Sequence, residues 1–192
     1  MTVARYIVGI TGASGSIYAL RLLQELLAQD HEVHLVVTRN GLKVLGFETG
    51  HDGEDFLSGL KESKKGLIIH DVDDLFAPIA SGSFKTEGMI IVPCSMSTLG
   101  EVCSGVSKNL LGRAADVCIK EGRKLILVPR ETPLSAIHLR NMLSLSEMGV
   151  IILPAMPAFY HKPESISDMV DFIVGKILEN LGIENTLYKK WG

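Results

Sequence analysis

Short apolar runs rich in β-branched residues alternate with amphipathic stretches along the whole chain, and this order constrains the fold more than any single motif. Runs at 6–10, 32–38, 67–70, 89–92, 125–128 and 150–153 read as buried strands. Between them, 16–29 carries Ile17, Leu20, Leu23, Leu26 and Leu27 at helical spacing. Further helices are predicted opening at 40–47, around 54–60, from 95–98, and over 109–120, 133–148 and 165–181. Strands that alternate with helices imply a parallel sheet covered on both faces: a three-layer α/β, Rossmann-like arrangement. The 192 residues suit one domain, 1–192, with 182–192 as a C-terminal tail. Ligands of such sheets sit beyond the carboxyl ends of the strands, so the residues there carry the functional argument.

Composition narrows the partners. The formal net charge of -3 gives no general basic field for nucleic acid, so an anion site must be built locally. Cys94, Cys103 and Cys118 are odd in number and contain no C-x-x-C, which argues against a disulfide framework or a zinc site. The N-terminus passes directly into a strand pattern without a signal-like segment, and no apolar run reaches spanning length. A cytoplasmic protein with no membrane span is expected.

The first strand runs into "GITGASGS", where Gly12 and Gly15 permit a tight turn before a helix N-terminus. The loop lacks G-x-G-x-x-G spacing and serves equally as a plain strand-to-helix turn. The second strand is followed by Thr38-Arg39-Asn40, without the acidic residue that holds a ribose in NAD sites. Arg39 is compatible with a 2′-phosphate, but no Y-x-x-x-K pair exists for nicotinamide chemistry. "VPCSMSTLG" follows the fourth strand. Here Cys94 lacks a sequence neighbour that would activate it, whereas Ser95, Ser97 and Thr98 stand where a helix begins. Capping and anion binding use the same donors, so both readings hold for these hydroxyls. Arg130 and Glu131 follow the fifth strand, and a proline-stiffened loop with Phe159 and Tyr160 follows the sixth.

Taken in order, "ITGASG", "ASGSF", "VPCSMSTL", "RAADVCIKEGRKLILVPRETP", "IHLRNML" and "LPAMPAFYHKP" resemble the UbiX-type flavin prenyltransferases over residues 6–191. The resemblance implies a flavodoxin-like, Rossmann-type fold and homo-oligomers, commonly dodecamers. It implies joining of a dimethylallyl group, from dimethylallyl monophosphate, to N5 and C6 of reduced FMN. The prenyl-FMN product then serves UbiD-type decarboxylases. Matching residues imply flavin contacts at Gly12, Ala13, Ser14, Thr38, Ser95, Met96, Ser97, Thr98 and Arg130. They imply prenyl-phosphate contacts at Tyr160 and Lys176, with Arg113 and Lys120 near the phosphate. Ser14, Glu48 and Glu131 match acid/base or proton-handling positions, and Ser81 is a further active-site candidate.

Three residues depart from the family pattern. Lys176 stands where many members have arginine, which keeps the charge and loses the bidentate fork. Ser97 replaces a frequent lysine, and Thr38 a common serine. The chemistry agrees with the implied roles. Ionisation of an allyl phosphate places negative charge on phosphate, which Lys120 and Lys176 stabilise, and positive charge on the allyl group, which the flavin and Trp191 face with π density. A carboxyl such as Glu131 protonates the leaving phosphate, and Glu48 takes the C6 proton. No D-D-x-x-D-like cluster is present, so no metal is expected. Peptidyl-cysteine decarboxylases share the fold but carry P-x-S-A-N-T and an early-helix histidine, whereas this chain has "PIASGSF" and no histidine in its first helix. Two further readings compete with prenyl transfer: an aromatic-acid decarboxylase and a non-catalytic flavin-binding subunit.

Overall fold

Alternation with period two places Val8, Ile10 and Leu35 on one face of a sheet, and Ile7, Met89 and Ile91 on the other. A computed structural model describes residues 4–63 and 65–191; the side chains of 61–63 are outside that description. The expected domain and tail also include residues 1–3, 64 and 192, which lie outside the described residues. The strands are β1 (Arg5–Ile10), β2 (Glu32–Val37), β3 (Leu67–His70), β4 (Gly88–Cys94), β5 (Lys124–Pro129) and β6 (Ile151–Ile152). The helices are α1 (Ser16–Ala28), α2 (Arg39–Thr49), α3 (Gly53–Ser63), α4 (Met96–Cys103), α5 (Leu110–Lys120), α6 (Ala136–Glu147) and α7 (Ile166–Leu181).

All strand pairs are parallel, in the order β3-β2-β1-β4-β5-β6. The expected three-layer architecture is the observed one. Leucines of α1 and Val174, Ile177 and Leu178 of α7 cover one face. Leu99 of α4, Leu111 and Ala115 of α5 and Leu145 of α6 cover the other. The chain leaves β1 towards β2 and β3, then returns to β4 on the other side of β1. The carboxyl ends of β1 and β4 therefore flank the crevice where such sheets take ligands.

Local chemistry explains the boundaries. Ser135 and Ser165 form capping boxes with His138 and Asp168, which fix the starts of α6 and α7. The helix expected from 133 thus begins at Ala136. Pro93 lies in a central strand, at a register shift between Ile91 and Cys94 that spares the ladder its missing N–H. The C-terminal segment docks on α7. Tyr188 is buried, its ring standing where a Cβ on Gly175 would come within 2.7 Å, and its hydroxyl donates to Glu179 at 2.8 Å.

Candidate functional site

Three helix N-termini converge on one cavity at the switch point. Thr38 caps α2 by accepting from Gly41 N–H, Ser95 caps α4 by accepting from Thr98 N–H, and Asn109 caps α5 by accepting from Gly112 N–H. All three caps line a cavity of ≈ 500 Å³, together with Gly12, Ser97 and Thr98. Each helix start presents about half a unit of positive charge. The first three N–H groups of a helix have no intrahelical acceptor. The caps of α2 and α4 each use one of them, leaving the N–H groups of Arg39, Asn40, Met96 and Ser97 for a ligand.

The loop after β1 is pinned to the end of β4. Thr11 donates its hydroxyl to Pro93 O at 2.8 Å and accepts from Ser95 N–H at 2.7 Å. Gly12 then approaches the start of α2 so closely that a Cβ would lie 2.7 Å from Asn40 Cβ. Gly15 adopts φ 111°, which is available to glycine and costly for other residues. Thr11 is absent from the residues that the motifs single out. A hydroxyl after a strand reads as an ordinary terminator, and its partners stand more than 80 residues away.

Glu48 comes from the end of α2 and caps a different helix. Its carboxylate accepts from Gly15 N–H at 2.9 Å and Ser16 N–H at 2.8 Å, at the start of α1. Burial pushes this carboxyl up, but the Ser14 hydroxyl and the two N–H groups outweigh burial and hold its pKa below the usual range. Arg130 donates to Ser14 O at 3.3 Å from the end of β5. Ser14, Glu48 and Arg130 line a second hollow of ≈ 630 Å³, whose walls include Ile17, Pro157 and Met169. Glu131 is exposed beside Arg130 and accepts from Thr132 N–H at 3.1 Å. Ala13 and Met96 are buried, so of the two residues only backbone groups are available to a ligand.

The remaining candidates form two other groups. Tyr160 and Trp191 meet edge to face at 5.2 Å, and Tyr160 also meets Phe172. Lys176, one turn along α7 from Phe172, pairs with Glu179 at 3.0 Å and lies 5.2 Å from the Tyr188 ring centre. Interaction with Tyr188 and then Glu179 raises its pKa. The third group runs along α5. Arg113 donates to Ala80 O at 3.1 Å, next to Ser81, and pairs with Asp116 at 2.7 Å. Lys120 pairs with Glu121, its ammonium 3.0 Å from where a Cβ on Gly82 would stand. Asn109 lines the first cavity. Eleven residues of rise carry Lys120 about 16 Å from it, towards the amino end of β5. Within one chain, the structure does not bring Lys120 to the cavity.

Cys94 is fully buried, and burial pushes its thiol up to about 12; Cys118 is likewise pushed up to about 11. A thiol so placed is a packing group rather than a nucleophile. Alkylation of the native protein at about pH 8 is expected to mark Cys103 well before Cys94 or Cys118, which react after unfolding. Rapid labelling of Cys94 in peptide mass spectra would return it to consideration as a reactive group.

Comparison with known proteins finds relatives along nearly the whole chain. Residues 1–178 match the flavoprotein family. The flavin prenyltransferase UbiX of Alkalihalophilus pseudofirmus is 53% identical over 189 residues, covering 96% of this chain and 94% of its own. That of Methanocaldococcus jannaschii is 45% identical over 188 residues, covering 98% of each chain. A crystal structure of AnUbiX (PadA1), in complex with FMN and dimethylallyl pyrophosphate, superposes with TM-score 0.92 at 39% identity, covering 100% of this chain and 98% of that one. A dodecameric FMN-dependent UbiX-like decarboxylase from Escherichia coli O157:H7 superposes with TM-score 0.90 at 45% identity, covering 98% and 99%. The peptidyl-cysteine decarboxylase EpiD, at 16% identity and TM-score 0.62, shares the fold alone.

Proposed function

The chain belongs to the UbiX-type flavin prenyltransferases of the flavoprotein family, and we propose that it joins a dimethylallyl group to N5 and C6 of reduced FMN. The observation that carries this reading is the convergence of three capped helix starts on one cavity, beside a second, largely apolar hollow. The first suits the polar end of a flavin nucleotide, and the second a short prenyl chain. Gly12, Ala13, Ser14, Thr38, Ser95, Met96, Ser97, Thr98 and Arg130 hold the flavin. Tyr160 and Lys176 hold the prenyl phosphate, Trp191 faces the allyl group, and Glu131 protonates the leaving phosphate. Dimethylallyl monophosphate is the donor, and its departing charge is met by lysine and arginine without a metal.

Oligomerisation completes the site in this reading. Arg113, Lys120 and Ser81 serve a neighbouring subunit in this proposal: none of them lines either cavity of its own chain, and α5 carries Lys120 away from the first. Exposed apolar residues on α6 support a covered face: Ile137 is 65% exposed and Leu143 60%. A dodecamer in the cytoplasm, passing prenyl-FMN to a UbiD-type decarboxylase, is the assembly and role we propose. No helix among the described residues is long and apolar enough to cross a membrane.

The test is anaerobic incubation with reduced FMN and either dimethylallyl monophosphate or the diphosphate. Mass spectrometry should find a flavin heavier by one prenyl unit, formed faster from the monophosphate. An unmodified flavin, with carbon dioxide released directly from an aromatic acid or a cysteine peptide, would instead support a decarboxylase.

A further inference from the structure

Four formal charges line the first cavity, and they cancel: Arg39 and Lys108 against Asp73 and Glu101. Each cation already has a partner. Arg39 meets Asp73 at 2.6 Å, and Lys108 meets Glu101 at 3.1 Å. Both cations are largely exposed, at 79% and 66% of the side chain, so each pair is weak and screened by solvent. The first turn of α4, Met96-Ser97-Thr98, carries no charged side chain, and the one charge α4 gives the lining is the carboxylate of Glu101. A ligand dianion in this cavity meets three helix N-termini, and Arg39 and Lys108 are the two formal cations on its lining that could add to them.

We propose that Arg39 and Lys108 exchange Asp73 and Glu101 for the 5′-phosphate of FMN, so that two ion-pair swaps at the cavity mouth select the phosphorylated flavin. The inference rests on the flavin reading above and adds the two residues that hold the phosphate. The geometry favours the exchange. Arg39 is the first residue of α2, and Lys108 immediately precedes the cap of α5. Each side chain thus starts from a helix N-terminus facing the cavity and reaches the phosphate by rotation about its own bonds. A phosphate offers more acceptors and more charge than either carboxylate, so the swap is downhill. Asp73 and Glu101 then act as placeholders that keep the empty cavity neutral.

Riboflavin, identical except for the phosphate, isolates the effect. Affinities of oxidised FMN and riboflavin would be measured by fluorescence titration for the wild-type chain and for Arg39→Met, Lys108→Met, Asp73→Asn and Glu101→Gln. Each cation variant is expected to weaken FMN by about tenfold while leaving riboflavin within about twofold. Each carboxylate variant is expected to tighten FMN by about threefold and leave riboflavin alone, because a competitor for the cation is gone. An unchanged FMN-to-riboflavin ratio in the cation variants overturns the proposal while FMN binding itself stands. Equal weakening of both flavins also overturns it, since the residues then support the cavity and not the phosphate. A wild-type chain that binds neither flavin overturns the flavin reading together with this one.

Discussion

Glu48→Gln is expected to let the first carbon–nitrogen bond form and to slow ring closure by about a hundredfold. The expectation follows from where the carboxylate sits. Gly15 and Ser16 N–H groups and the Ser14 hydroxyl hold Glu48 ionised at neutral pH, and all four residues line the second hollow. A carboxylate with a lowered pKa is a weak base. In the proposed reaction it would suffice, because loss of the C6 proton restores an aromatic ring and is strongly favourable. Glutamine keeps an oxygen to accept from the α1 N–H groups but cannot take a proton. The singly and doubly joined flavins are isomers of equal mass, so absorbance and chromatographic retention must separate them. Full four-ring product at the wild-type rate would remove Glu48 from the mechanism.

A loss of rate must be told apart from a loss of fold. A carboxyl whose folded pKa is lowered stabilises the fold above its ordinary value, and loses that contribution as pH falls through the lowered one. Glu48→Gln should therefore cost up to about 1 kcal/mol at neutral pH, kept small by solvent exposure, and the difference from wild type should shrink in acid. A thermal melt that collapses at neutral pH would mean that the lost rate reports unfolding instead of proton transfer.

Much of the site is legible in the chain itself, because it is built from local signals. Ser95, Thr38 and Asn109 follow or precede apolar runs, and a capping residue next to a helical pattern marks a helix start wherever the tertiary structure puts it. Alternating strands and helices then place those starts at one edge of the sheet. What sequence could not show depends on contacts between distant segments. Thr11 is an ordinary threonine until it meets Pro93 and Ser95. Glu48 belongs by sequence to the end of α2, and only the packing of α2 beside α1 makes it the cap of α1. Tyr188 reads as part of a tail, yet it fills the notch left by Gly175. Lys120 carries a catalytic expectation from its motif, and only the length and direction of α5 reveal that its own cavity is out of reach.

That separation leads to the last expected result, which is gain of activity on mixing two disabled chains. Lys120→Met and Glu48→Gln should each be close to inactive as pure assemblies. Glu48 lines the hollow of its own chain, whereas Lys120 projects from the far end of α5 beside Ser81 and Gly82. If a neighbour supplies Lys120, a random equal mixture contains sites in which a Glu48 from one chain faces a Lys120 from the other. About a quarter of all sites then regain both groups, and about a quarter of wild-type activity should return. If each chain instead builds its site alone, every site in the mixture retains one lesion and activity stays at the background of the pure variants. Co-expression of two differently tagged chains, tandem purification and the anaerobic prenylation assay give the number directly. Lys120→Arg belongs in the same experiment. Arginine keeps the charge while changing donor geometry, so partial activity in the pure Lys120→Arg assembly would show that the phosphate needs the cation. An inactive Lys120→Arg assembly, with successful complementation by Lys120→Met, would point to a requirement for the compact ammonium itself.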